Sequence, residues 1–368
     1  MKTGDLNSLR AEIERLDREM LDLIARRLEI VHEIGTLKSD LKLPIRDYRV
    51  EREVVRRMHD RCNDLGMDPA IGHLLAKLLI RSAVRSQEGL REKSHTGTLR
   101  RVLIVGGGGR MGQWFCRYLD SMEHRVTVFD PGGPVEGYAY EHNLELALGE
   151  AEMILLSTPL GSSSEILGDI ITHRPRGVIF DICSLKSHLL EHIYKATKEG
   201  LRITSLHPMF GPRIRTLMDR NVILCRCGSP EADRKVKELF EETSANLIEM
   251  EISEHDEWMA YVLGMSHAVN LIFTDMLVRS GKPFSDLLKV ASTTFSKQIK
   301  TTQDVSFEAA DLYYEIQTLN RHTADVFDFF LEAAKDVHRA VTEGDQERFR
   351  EIMDRGRLYF DKWEENRS

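Results

Sequence analysis

The stretch Arg101–Gly112, RVLIVGGGGRMG, constrains this chain more than any other. Five mostly branched aliphatic residues run into a glycine cluster and then into helix-compatible residues. That order predicts a strand, a phosphate loop and a helix start. Gly107, Gly109 and Gly112 satisfy the spacing G-x-G-x-x-G, with Arg110 and Met111 inside it. In such a loop the glycines let the backbone turn tightly, approach a pyrophosphate and pack helix against strand, while helix N–H groups aim at the anion. Val126–Asp130 reads as the next strand and ends in a carboxylate 18 residues after Gly112, where an acceptor for a ribose 2′-hydroxyl belongs.

Three further apolar runs follow, each preceded by a helix-compatible stretch: Met153 to Pro159, Val178 to Asp181 and Ile203 to Ser205. Strands alternating with helices predict a doubly wound, parallel α/β sheet of the Rossmann type. Ser157, Thr158 and Pro159 end a strand on the side of the glycine loop and so border the cofactor. Asp130 favours NAD, because a carboxylate repels a 2′-phosphate, while nearby Arg110 leaves NADP open.

Chemistry concentrates in Leu206-His-Pro-Met-Phe-Gly-Pro212, expected as a loop just after a sheet strand. Asp181-Ile-Cys-Ser184 with Lys186 ends the preceding strand at the same edge. His207 and Ser184 on neighbouring strand ends can share a hydrogen bond that sets the imidazole to accept a substrate proton. His188-Leu-Leu-Glu-His192 matches a zinc-protease pattern, but on an outer helix with no third ligand it reads as a solvated face, and no metal is expected. Cys225 and Cys227 alternate in a strand and read as packing residues.

The 368 residues allow two or three domains. A net charge of −8 gives no reason to expect nucleic-acid binding, so anionic substrates must be met by local basic clusters. Five scattered cysteines point away from a disulfide framework and towards a reducing, cytoplasmic compartment. No signal peptide and no apolar run of membrane-spanning length is expected.

The first ninety residues need a separate explanation. Leu6, Leu9, Ile13, Leu16, Met20 and Leu23, then Ile30, Ile34, Leu37 and Leu41, step by three and four. This predicts a helix of about 36 residues, ~54 Å long, with a heptad seam that it cannot bury alone. Pro44 stops it; a second helix is expected from Asp47 to Leu65, and a third from Asp68-Pro69 to Gly89. Arg27 breaks the seam, and Arg10 and Lys38 flank it. A buried arginine needs an anionic partner. Arg10 and Arg27 lie about 25 Å apart along one helix, too far to hold one small ligand, so an antiparallel second copy is expected to bring them together in an intertwined homodimer.

Leu9-Arg10, Ala25-Arg-Arg27, Glu33-Ile-Gly35 with Lys38, Pro44-Ile-Arg-Asp47 with Glu51-Arg52, and Ser86-Gln87 resemble the all-helical chorismate mutase domain. The resemblance implies that Arg27 and the second copy's Arg10 bind the two carboxylates of chorismate. By the same likeness Lys38 and Gln87 bond the ether oxygen, and Asp47 and Glu51 meet the ring-hydroxyl side. A pericyclic rearrangement needs only such positioning and fixed donors. The chain departs from the pattern at Val50, usually an arginine, and at Ala83, often serine; Arg46 or Arg49 are candidate substitutes.

The rest, IVGGGGRMG, Ser157-Thr-Pro, Ser184-Leu-Lys and HPMFGP, is similar to prephenate dehydrogenase, and the whole to the fused chorismate mutase/prephenate dehydrogenases of tyrosine biosynthesis. The likeness implies that His207, oriented by Ser184, takes the ring-hydroxyl proton as hydride passes to NAD and CO2 departs, giving 4-hydroxyphenylpyruvate. It also implies a mutase domain over residues 1–90, a linker over 91–100, a dinucleotide domain over 101–252 and an all-helical dimerisation domain over 253–368. In the last, helices are expected over Glu254–Arg279, Phe284–Thr302, Phe307–Val341 and Gln346–Trp363. His255 and His267 match family histidines, with His267 lining the substrate pocket. Asp304 stands where bacterial members carry a carboxylate-binding arginine, which leaves Lys297, Lys300, Arg213 and Arg215 as candidate cations. Two alternatives remain at this stage: arogenate as substrate, or one half serving as a non-catalytic tyrosine-sensing module.

Overall fold

The computed structural model describes residues 3–41, 43–92, 99–241 and 243–365. It forms two compact units, one of Met1–Ser184 with Leu189–Ile252 and one of Leu185–His188 with Ser253–Ser368.

The first unit begins with three helices, α1 (Thr3–Asp40), α2 (Tyr48–Asp64) and α3 (Pro69–Glu92). Asp47 is the N-cap of α2, its carboxylate accepting from the amides of Arg49 at 3.0 Å and Val50 at 3.2 Å. Gly66, at φ +67°, follows α2, and Asp68 accepts from the amide of Ala70 at the start of α3. Gly72 lets α3 close on α2: a Cβ there would lie 2.5 Å from the Met58 carbonyl oxygen. Ile45, Val54, Ala76, Ile80 and Val84 form the core of this part. Leu9, Ile13, Leu16, Met20, Leu23, Ile30 and Leu37 of α1 are exposed, so the described residues leave these seam positions uncovered. The expected linker falls largely on residues 93–98, which lie outside the described residues; α3 itself continues to Glu92.

The sheet follows in the order β1 (Arg101–Val105), α4 (Arg110–Ser121), β2 (Arg125–Phe129), β3 (Ala139–Tyr140), α5 (Leu144–Glu150), β4 (Met153–Leu156) and α6 (Leu160–Thr172). It continues with β5 (Val178–Asp181), α7 (Leu190–Lys198), β6 (Ile203–Pro208), β7 (Asn221–Arg226), α8 (Pro230–Glu241) and β8 (Asn246–Glu251). The eight strands pair in the order β3-β2-β1-β4-β5-β6-β7-β8. Phe115 and Leu119 of α4 and Val236 and Phe240 of α8 pack with Ile104, Leu155, Phe180 and Leu224 in one buried core. Each such side chain contributes about 1.5–3 kcal/mol.

The sheet is not wholly parallel as expected. β7 runs antiparallel to β6, because the connection over residues 209–220 holds no helix to carry the chain back across the sheet. β8 was not legible in the sequence: Asn246-Leu-Ile-Glu-Met-Glu251 is half polar, as suits a sheet edge.

The second unit is helical: α9 (Ile252–Met259), a π-helical turn (Ala260–Met265), α10 (Ser266–Arg279), α11 (Phe284–Lys289), α12 (Thr293–Ser306), α13 (Ala310–Thr318), α14 (Thr323–Thr342) and α15 (Gln346–Glu365). Two expected helices are each broken. Ser292 turns its hydroxyl to the Phe295 amide and starts α12 anew, and Asn320 accepts from the His322 amide between α13 and α14. Ile252–Arg279 is long and apolar enough to cross a membrane by length and composition, contrary to the expectation that no such run exists. It carries the buried pair His255–Asp256 near its start.

Candidate active sites

The glycine loop opens a cleft of about 1480 Å³ bordered by Gly106, Gly108, Gly109, Asp130, Ser157 and Thr158, with Pro159 on the same rim. Gly109 is the N-cap of α4, which places Arg110 and Met111 in its first turn. Gly112 cannot carry a side chain: a Cβ there would lie 2.2 Å from the Gly106 carbonyl oxygen. The same test at Gly107 meets Val128 at 2.7 Å. Gly106, outside the G-x-G-x-x-G spacing, has φ +88°, and a Cβ on it would lie 2.4 Å from the Ser157 carbonyl oxygen. Asp130 accepts from the amides of Gly108 at 2.8 Å and Gly132 at 2.7 Å, so the carboxylate is fixed against the loop. The Thr158 hydroxyl is buried with no hydrogen-bond partner. A glycine cradle, a fixed carboxylate and an orphan hydroxyl on one cleft fit a dinucleotide.

His207 is not in a loop but in β6, opposite Ile223 and only 3% exposed. Register pairs Val105 with Leu156, Leu156 with Asp181, and Asp181 with Ser205. His207 therefore lies two residues beyond this row, on the carboxyl edge that carries the glycine loop, and Ser184 lies three residues past Asp181 on the same edge. The Asp181 carboxylate accepts from the Cys183 amide at 2.9 Å and shapes the turn into Ser184. Arg213 and Arg215 are exposed in the connection after β6. Cys225 is buried in β7 and Cys227 is buried just beyond it.

In the helical unit, His255 is fully buried and its Nδ1 lies 2.7 Å from an Asp256 carboxylate oxygen, so it has no surface to offer a substrate. Asp256, which sequence reasoning missed beside His255, also accepts from the amides of Lys186 at 2.9 Å and Ser187 at 2.6 Å, and its carbonyl accepts from Asn320. It holds the segment immediately after Ser184. Burial pushes this carboxyl up, but the bonds from His255 and Ser187 outweigh burial and hold it well below the usual carboxylate range. A depressed pKa contributes stability above the unfolded value near 4, lost as pH falls through the folded one. Asp256→Asn is therefore expected to cost about 1–3 kcal/mol at neutral pH and to flatten the acid limb of thermal stability. Scanning calorimetry across pH checks this, and a variant with the wild-type acid limb would contradict it.

His267 follows the π-helical turn, stacks on Tyr313 with ring centroids 4.2 Å apart, and has a buried Nδ1 with no hydrogen-bond partner. Burial lowers its pKa, so it is neutral at physiological pH. Such turns recur at functional sites. Burial, then Glu308 and Asp304, raise the Tyr313 hydroxyl, which sets two carboxylates near this ring pair. Lys297 and Lys300 are exposed on α12, whereas Thr302 and Gln298 of that helix turn inward to bond Asn270 at 2.8 and 2.9 Å.

Among the first three helices, Lys38 donates to the Ile45 carbonyl at 2.7 Å and Arg27 reaches the Leu79 carbonyl at 3.5 Å. Burial, with Arg57 nearby, lowers the Arg27 pKa. Gln87 is buried and packs over Gly35. Arg10 is exposed on α1. Glu51 is not open to a ligand on every side: Arg46 grips it through two bonds of 2.9 and 2.7 Å and reaches Asp219 at 2.8 Å with its other arm. The Glu51 bond, against the cost of burial, and then Asp219 hold Arg46 above its ordinary pKa. Arg46 is thus paired on both sides, whereas Arg49 is exposed. Asp47 is likewise engaged as a helix cap.

Comparison with known proteins finds matches in each part of the chain. Residues 9–88 match the family of chorismate mutase type II, residues 137–249 the nucleotide-binding domain of prephenate dehydrogenase, and residues 251–355 its dimerization domain. The T-protein of Enterobacter agglomerans is 24% identical over 97% of this chain and 93% of its own length. That of Haemophilus influenzae is 25% identical over 84% of this chain and 80% of its own length. A prephenate dehydrogenase from Aquifex aeolicus, solved with hydroxyphenyl propionate and NAD+, shares the fold with a TM-score of 0.58 and 19% identity, covering 73% of this chain and 99% of that one.

Proposed function

We propose, for a chain whose domains match type II chorismate mutase and prephenate dehydrogenase and which is a bifunctional enzyme of tyrosine biosynthesis, how its residues divide the two reactions. In the helical part, Arg27 and Arg10 of the partner subunit bind the carboxylates of chorismate. Lys38 and Gln87 donate to the ether oxygen as the C–O bond breaks, and Glu51, aligned by Arg46, meets the ring hydroxyl. Donors fixed before the reaction need no reorganisation as charge develops. The exposed apolar seam of α1 supports a homodimer, the arrangement that brings the two arginines together.

In the sheet, Gly107, Gly109 and Gly112 with Ser157, Thr158 and Pro159 hold a dinucleotide, and Asp130 selects NAD by repelling a 2′-phosphate. When bound, the dinucleotide supplies the hydride acceptor. His207 takes the proton of the ring hydroxyl, Ser184 orients the imidazole, and loss of CO2 with aromatisation drives the step. His267, neutral and stacked on Tyr313, lines the substrate side, while His255 serves with Asp256 as a support. One of Arg213, Lys297 and Lys300 meets the prephenate carboxylate. We extend the proposal to a cytoplasmic location and to tyrosine as a candidate feedback ligand.

The observation that carries the dehydrogenase half is the burial of His207 at the carboxyl edge of the sheet that bears the glycine cradle. Chorismate supplied with NAD is expected to yield reduced cofactor after a lag in which prephenate accumulates, with a slower rate on NADP. Turnover of chorismate without any reduced cofactor would reject the dehydrogenase assignment, and prephenate turning over where chorismate does not would reject the mutase assignment.

A further inference from the structure

In a chain of net charge −8, the first unit contains a strongly basic groove of about 590 Å³ between α2, α3 and the end of the connection after β6. Val55, Ile80 and Met218 give it apolar walls. Arg52 and Arg56 on α2 and Lys77 and Arg81 on α3 line it, each pair spaced i, i+4. Like charges at that spacing destabilise a helix, and two such pairs facing one groove repel each other as well. The two carboxylates in the lining, Glu51 and Asp219, are both spent on Arg46. Among the described residues no carboxylate pairs with Arg52, Arg56, Lys77 or Arg81. The Tyr48 ring is also engaged, with the Arg46 guanidinium 4.4 Å over its centre.

We propose that this groove is a second anion-binding site, for a small ring compound carrying two carboxylates. Its volume suits a single small molecule. Four cations around apolar walls suit a hydrocarbon ring with two charged ends better than a lone halide or a neutral metabolite. The site is distinct from the mutase centre: Arg27, Lys38 and Gln87 do not line it, and Arg52 is turned about 200° from Val50 around α2. Glu51 alone borders both. Chorismate and prephenate are both dicarboxylates of this class, an identification that rests on the proposed function; the groove itself does not.

Occupancy has a consequence for the chain. A ligand carboxylate competes with Asp219 for Arg46, and Asp219 ends the connection that begins just after His207. Glu88, next to Gln87, ties the same connection through Thr216 and the Leu217 amide and also accepts from Ser244. A dianion in the groove therefore loosens one tie between the helical part and the segment that follows His207, while Glu88 and the packing of Met218 remain.

The test is chemical footprinting of Lys77 in the full-length protein, without cofactor. With saturating prephenate, acetylation of Lys77 by an N-hydroxysuccinimide ester is expected to slow roughly tenfold, as nine-tenths occupancy requires. The Arg52→Ala/Arg56→Ala double variant, altered only at exposed positions, should lose that protection, and the Lys38→Ala variant should keep it. Unchanged labelling with prephenate, or protection that disappears in Lys38→Ala, would overturn the proposal. Protection by pyrophosphate but not prephenate would also overturn it, in favour of a phosphorylated ligand. Because no turnover is measured, a failed footprint leaves the chorismate-with-NAD experiment untouched, and the reverse holds equally.

Discussion

His207→Asn is expected to lower the dehydrogenase kcat by about 10²–10⁴-fold while leaving the mutase rate within experimental error of wild type. A positioned general base is worth that much, roughly 3–5 kcal/mol of transition-state stabilisation. An imidazole accepts a proton near neutral pH, and a carboxamide does not. Asparagine is the informative replacement because His207 is 3% exposed within β6, where its neighbours include Asp181-paired Ser205. A smaller apolar residue would leave a cavity and confuse chemistry with folding. Asparagine keeps a polar group near the position of Nδ1. Reduced-cofactor formation from prephenate and prephenate formation from chorismate, measured on the same preparation, check the result. A loss confined to KM would mean that His207 binds the substrate and that another group takes the proton. Equal loss of both activities would mean that the variant fails to fold.

What the sequence made legible and what it hid divide along physical lines. Local patterns were readable: the apolar repeat of α1, the buried apolar strands β1, β4 and β5, and the glycine spacing. Features decided by tertiary partners were not. β8 is half polar because its charged residues meet Arg226 and Lys237 on neighbouring elements. The reversal of β7 depends on a helix-free connection over residues 209–220, and nothing in Asn221–Arg226 itself encodes direction. Asp47 reads as a ligand or a cap with equal ease, and the cap is what forms. His255 drew attention as a histidine although the residue with the wider reach is Asp256, whose four partners come from segments 64 to 70 residues away or from its immediate neighbour. Arg46 stood in the sequence as a candidate ligand cation, and only the fold could reveal that it spans Glu51 and Asp219, 168 positions apart in sequence.

The same division governs the second large effect, expected at Gly106, a glycine outside the recognised spacing. Gly106→Ala meets two independent obstacles. Its φ of +88° is a conformation that costs a side-chain-bearing residue about 1–2 kcal/mol. Its Cβ would also lie 2.4 Å from the Ser157 carbonyl oxygen, a backbone atom that cannot swing aside. Relief by moving Gly106 is blocked on both sides, because its amide donates to the Phe129 carbonyl at 2.8 Å and its carbonyl accepts from the Gly109 amide at 3.3 Å. Overpacking of this kind adds about 1–3 kcal/mol. The variant is expected to lose about 2–5 kcal/mol in thermal or denaturant stability, and nucleotide affinity should fall further, since the loop, the β4 end and the start of α4 must shift together. Val50, exposed on α2, provides the control, since Val50→Ala alters neither the sheet nor its loop. Nucleotide titration followed by protein fluorescence, alongside denaturant unfolding, distinguishes the outcomes. A Gly106→Ala protein with wild-type affinity for NAD would show that the cradle is elsewhere, because no arrangement of this loop accommodates a Cβ at that position without displacing the strand end beside it.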